Sequence, residues 1–140
     1  SRGLGDVYKR QHYTDLETVL KNSDYVSLHC PLTPATRHLI NADTLVLMKP
    51  TAFLINTSRG ALIDEPALIK ALQEHKIAGA GLDVQETEPP VEDNPLYTLD
   101  NVILTPHMGW KGLETRQRLL SILKGNIDGF INGKPVNVVS

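Results

Sequence analysis

The chain has 140 residues and one cysteine, Cys30. A single cysteine excludes an internal disulfide and a thiolate metal cluster. No apolar run approaches the roughly 18 residues that a membrane helix needs, and no signal-peptide pattern is visible at the start. No pair of histidines has metal-ligand spacing on a helix. Charge of one sign is also scarce: the formal net charge is −2, so neither nucleic acid nor an anionic membrane is expected as a partner. What remains is 41% hydrophobic and 21% charged, an ordinary globular balance. The length suffices for one modest domain with a real core, and a cytoplasmic protein is the simplest fit.

The most informative stretch is TAFLINTSRG, residues 51–60. Residues 52–55 are a short apolar run with turn-formers close behind, which reads as a strand buried on both faces. Asn56, Thr57 and Ser58 turn the chain, and Arg59 follows. In open α/β sheets, ligands bind outside the carboxyl ends of the strands. An arginine there offers a fixed fork of donors for a carboxylate or a polarised carbonyl. The plainer reading is an arginine that ties down a loop or pairs with a rim acid.

Residues 1–11 have two glycines and three basic residues but no clear period. Gly3 and Gly5 hint at a phosphate loop, a weak signal without a preceding strand, so residues 1–12 read as a leader that is disordered or was introduced by cloning. Thr14 and Glu17 form a candidate capping box for a short helix. A strand at 25–29 follows, then a loop held open by Pro31 and Pro34, and a helix from Asn41 through Met48. Asp64 and Pro66 start the next helix. Residues 77–84, IAGAGLDV, read as a third strand whose small residues imply close packing. An acidic, proline-rich loop spans 85–95, and a fourth strand spans 101–104. A long helix at 113–131 places Leu119, Leu123, Ile127 and Phe130 on one face. Strands alternating with helices predict a doubly wound parallel sheet.

A parallel sheet would bring Arg59, Asp83, Glu88 and His107 to one edge. Arginine, glutamate and histidine together suit proton-coupled chemistry at a carbonyl. His107 can give or take a proton near neutral pH, Glu88 beside it would favour the imidazolium, and Arg59 can hold a substrate carboxylate. No side chain supplies a hydride, so a nicotinamide cofactor is implied. His38 and His75 read as surface residues, His29 as a satisfied core or rim residue, and Cys30 as a small residue lining a strand end.

The runs SLHCPLTPATRHLIN, LMKPTAFLINTSRGALID, IAGAGLDV followed by EPP, and NVILTPHMGW together closely resemble the nucleotide-binding half of D-2-hydroxyacid dehydrogenases. The resemblance covers roughly residues 13–140. It implies a partial Rossmann-like sheet, the carboxyl-terminal half of an NAD(P)-binding domain, plus a long C-terminal helix. It also implies three catalytic residues: Arg59 in N-T-S-R-G, Glu88 in E-P after G-L-D-V, and His107 in T-P-H. Asp83 matches the aspartate that contacts the nicotinamide end of the cofactor. Cys30, Thr57 and the backbone from His107 through Gly109 to Trp110 match further cofactor-binding positions. NAD or NADP, a small 2-oxo or 2-hydroxy acid and a homodimeric parent enzyme follow from the resemblance.

The C-terminal pattern HMGWKGLETRQRLL, with GKPVNVV after it, is most similar to the glycerate dehydrogenase (hydroxypyruvate reductase) branch. Reduction of hydroxypyruvate or glyoxylate is therefore expected. The family's glycine-rich loop is not found in the chain. This implies the C-terminal part of a longer enzyme, inactive alone, with the strand at 25–29 left as a sheet edge, and leaves NAD against NADP open. An NAD(H)-sensing binding protein on the same scaffold is the alternative.

Overall fold

The computed structural model describes residues 12–139, so residues 1–11, the bulk of the stretch read as a leader, lie outside the described residues. The described residues form two compact units, one reaching to Thr105 and one beginning at Pro106. In the first unit, α1 (Leu16–Asn22) is capped by Asp15, whose carboxylate accepts from the Thr18 amide. The cap is one residue later than the sequence suggests. A carboxylate suits the amide-rich start of a helix better than a hydroxyl does. The second helix, α2 (Ala42–Leu45), starts at the expected Asn41 with a full capping box closed by Thr44. It is shorter than expected. Leu47 and Met48 donate to Thr44 and Leu45 carbonyls, so the chain tightens into three-residue turns before Pro50. Helix α3 (Glu65–Gln73) has Asp64 as its cap and proline in its first turn, as the sequence reads.

Four strands, β1 (Tyr25–Leu28), β2 (Phe53–Asn56), β3 (Gly79–Leu82) and β4 (Val102–Leu104), form one parallel sheet in that order. Leu28, Asn56, Leu82 and Leu104 stand in register, so the four carboxyl ends are level. Among the described residues, strand β1 is an edge of this sheet, as expected.

Side chains alternate between the two faces. Val26, Leu28, Leu54, Ala80 and Leu82 point to one face and are buried with Leu45, Leu68 and Leu72 of the helices. Each such leucine contributes roughly 1.5–3 kcal/mol through burial. On the other face Tyr25 is 69% and Ile103 74% exposed. The sequence reading of residues 52–55 as buried on both faces is thus half right. Phe53 keeps 40% of its surface and stacks on the Tyr25 ring, with centroids 5.7 Å apart.

In the second unit, α4 (Leu113–Ile131) has the bounds the sequence predicts. Leu119, Leu123, Ile127 and Phe130 lie on it and are all exposed. Gly133, with φ +67°, turns the chain just past its end, and Lys134 N donates to Gly129 O at 2.8 Å. This is the usual use of glycine after a helix.

Candidate functional site

The turn after β2 is built around Asn56, which is fully buried. Its amide nitrogen donates to the Arg59 carbonyl at 2.9 Å, and its side-chain oxygen accepts from the Ser58 amide at 3.0 Å. The Ser58 hydroxyl donates to the Leu28 carbonyl at 2.7 Å, which ties this turn to the end of β1. A single buried amide thereby satisfies the turn's backbone and leaves Arg59 exposed at the sheet edge. Residues 29–32 and 57–59 line an open cleft of about 600 Å³, which brings Cys30, Thr57 and Arg59 together. Cys30 also packs against the core. The His29 ring lies 2.8 Å from the Ser27 hydroxyl, which fits a satisfied rim residue.

At the end of β3, the Asp83 amide donates to the Asn56 carbonyl at 2.9 Å. Its carboxylate, on a residue only 7% exposed, accepts from the Thr105 hydroxyl just past β4. Glu88 lies on the following loop and accepts from the Gln85 amide at 3.2 Å.

That loop is fastened by a residue the sequence reading left among its general acidity. Glu86 accepts from His38 Nε2 at 2.7 Å and from Arg37 Nη2 at 3.1 Å. Burial, the largest single influence on Glu86, works against its ionisation. The His38 hydrogen bond, the Glu65 amide and the charges of His38 and Arg37 together outweigh it and hold the carboxyl below its usual range. His38, read from sequence as a surface residue, is half-buried in this contact. The missed signal is the sequence distance: the partners are 48 residues apart, and only the sheet brings them together.

His107, Gly109 and Trp110 belong to the second unit. His107 has φ +50°, a left-handed conformation that is uncommon outside glycine. The Arg116 guanidinium sits 4.9 Å from the centre of the Trp110 ring, a cation–π contact. Lys111 donates to the Pro106 carbonyl at 2.8 Å.

The sequence model described as "D-isomer specific 2-hydroxyacid dehydrogenase, NAD binding domain" matches residues 5–109. This chain belongs to the D-isomer specific 2-hydroxyacid dehydrogenase family. It is 48% identical over 136 residues to a glycerate dehydrogenase of Methylorubrum extorquens, covering 96% of this chain and 43% of that protein. It is 51% identical over 129 residues to a glyoxylate reductase of Thermococcus litoralis, covering 91% and 39%. The crystal structure of D-lactate dehydrogenase with NAD+ from Lactobacillus jensenii superposes with a TM-score of 0.88 at 36% identity, covering 96% of this chain and 45% of that one. The chain thus spans about two fifths of the length of the curated relatives it matches.

The family match includes Arg59, Asp83, Glu88 and His107 and ends one residue before Trp110. The residues of the first unit suit the dehydrogenase family's dinucleotide. The cleft beside Cys30 offers an apolar wall in Pro31 and Leu32 and hydroxyls in Thr57 and Ser58. The Asp83 carboxylate, with about four acceptor positions, suits the amide of a nicotinamide. Among the described residues, no group of histidines, cysteines and acids could hold a metal, and no helix is long and apolar enough to cross a membrane.

Proposed function

We propose that this chain forms part of the cofactor-binding region of an NAD(P)-dependent oxidoreductase that reduces a small 2-oxo acid, hydroxypyruvate or glyoxylate, to the 2-hydroxy acid. The observation that carries this reading is Arg59, held by Asn56 at the level carboxyl edge of a parallel sheet and lining an open cleft. In this reading the guanidinium binds the substrate carboxylate in a bidentate way and polarises the adjacent carbonyl. His107 gives the carbonyl oxygen its proton, and Glu88 favours the imidazolium that does so. Asp83 receives the nicotinamide carboxamide, while Cys30, Thr57 and the backbone of residues 107–110, Gly109 and Trp110 among them, hold the cofactor. The cofactor supplies the hydride when bound. The names of the relatives, glycerate dehydrogenase and glyoxylate reductase, support the substrate class. A homodimeric enzyme in the cytoplasm belongs to the same reading, and sedimentation of the purified protein checks the assembly.

The test is turnover of hydroxypyruvate and glyoxylate by the purified protein that contains this chain, with NADH and with NADPH, followed by loss of nicotinamide absorbance. Arg59→Ala is expected to lower kcat/KM on the order of 10²- to 10³-fold, as the loss of one charge-stabilising donor does. Absence of turnover with both nucleotides, or full activity in Arg59→Ala, would sink the reading.

A further inference from the structure

The loop that carries Glu88 is fixed at both ends by one carboxylate pair. The Glu86 amide donates to Glu65 Oε2 at 3.0 Å, and the Glu65 amide faces Glu86 Oε2 at 3.4 Å. At the far end, the buried Asn94 donates to Glu65 Oε1 at 2.7 Å. Glu65 therefore takes both the start and the finish of the loop. The outer oxygen of Glu86 is held by His38 and Arg37 at 2.7 and 3.1 Å. The loop also presses on the arginine-bearing turn: a Cβ added at Gly60 would fall 1.8 Å from the Gln85 carbonyl oxygen. The Glu88 carboxylate is in turn tied to this anchored base through the Gln85 amide.

We propose that Glu86, gripped by His38 and interlocked with Glu65, is the positioning residue that fixes the Glu88 loop onto the Arg59 turn. An exposed ion pair would have little such consequence, but this contact differs in two ways. The Glu86 side chain keeps only 21% of its surface, so its bond to the half-buried His38 is largely shielded from water, unlike the bond to the exposed Arg37. His38 reaches it from φ +51°, in the left-handed region. That backbone is held by the His38 amide on the Ala61 carbonyl at 2.9 Å and the Asn41 side chain on the His38 carbonyl at 3.0 Å. A non-glycine residue kept in such a conformation marks a place where the surrounding fold imposes the geometry. Here the geometry delivers a ring nitrogen to Glu86.

The catalytic consequence rests on the 2-oxo acid reductase reading; the anchoring does not. The first measurement is hydrogen exchange of the backbone amides of residues 85–94 in the wild-type chain, in Glu86→Ala and in His38→Asn. Asparagine tolerates the left-handed backbone while removing the ring. Both variants should speed exchange in the loop on the order of tenfold or more, with β1–β3 amides unchanged. The second measurement is turnover by the protein that contains this chain. Glu86→Ala should lower kcat about 10- to 100-fold, as a displaced catalytic group does, with the cofactor KM unchanged, and Glu86→Gln should recover part of it. Unchanged loop exchange in both variants would overturn the proposal, as would a loosened loop with unchanged kcat. A wild-type protein that turns over no 2-oxo acid would remove the reductase reading, and the exchange result would then decide the anchoring by itself.

Discussion

The two faces of the sheet are made by the same strands, yet they differ in what covers them. Val26, Leu54 and Ala80 are neighbours across β1, β2 and β3 on one face, and Tyr25, Phe53 and Gly79 on the other. The first row is buried under helices; in the second, Tyr25 and Phe53 stay exposed as a stacked pair and only Gly79 is covered. Apolar character alone does not distinguish the rows, because both are apolar. What distinguishes them is which row the helices of the first unit cover, so the stability of that unit is lodged in one face of its sheet.

The largest expected effect sharpens that contrast. Leu54→Ala, at a fully buried position, should cost about 2–5 kcal/mol, whereas Ile103→Ala on the open face should stay within about 0.5 kcal/mol. Denaturant unfolding of both variants measures the difference, and equal losses would break the comparison. A smaller effect divides the open face itself. A Cβ at Gly79 would lie 2.6 Å from the Asn101 carbonyl and 3.0 Å from the Phe53 ring, while one at Gly81 would meet nothing within 4 Å. Gly79→Ala should therefore destabilise by about 1–3 kcal/mol, and Gly81→Ala should be neutral or stabilise by up to about 1 kcal/mol. The same unfolding curves report both; a costly Gly81→Ala would show that the open face is covered in solution.

The smallest effect sets both faces against the sheet's carboxyl edge. Strands β1–β4 contain no carboxylate and no basic side chain, whereas the loop beside them is anchored by Glu86, whose carboxyl is held below its ordinary value of 4.5. A depressed carboxyl contributes stability that is fully present above its unfolded value and is lost as pH falls through its folded value. Acidification below pH 4.5, the ordinary value of that carboxyl, should thus loosen residues 85–94 before the sheet, and Glu86→Gln should abolish that acid-dependent step. Hydrogen exchange of the loop against β2 across this range checks it, and a loop that loosens equally in Glu86→Gln would assign the step to another group.

Much of this was legible in the residues. Strand–helix alternation predicts the parallel sheet, Asp64 with Pro66 predicts the start of α3, and the spacing from Leu113 predicts the long helix, because each depends on neighbours within one or two turns. The turn carrying Arg59 was legible for the same reason. The covering of only one face was not, since an apolar residue looks alike whether or not something packs on it. Nor was the clasp of His38 and Glu86, two polar residues in separate loops with no local pattern to join them.

By itself, then, the sequence determined the order of elements, through local periodicity and local turn chemistry, and it carries the family motifs at Arg59, Asp83, Glu88 and His107. Tertiary structure alone decided which face of the sheet holds the core, that Asn56 is the buried pin of the arginine turn, and that Glu65 and Glu86 bind the Glu88 loop down. Those are contacts between residues far apart in the chain. They exist because the crossovers return each strand end to the same edge, where a carboxylate on one loop meets a histidine or an amide on another.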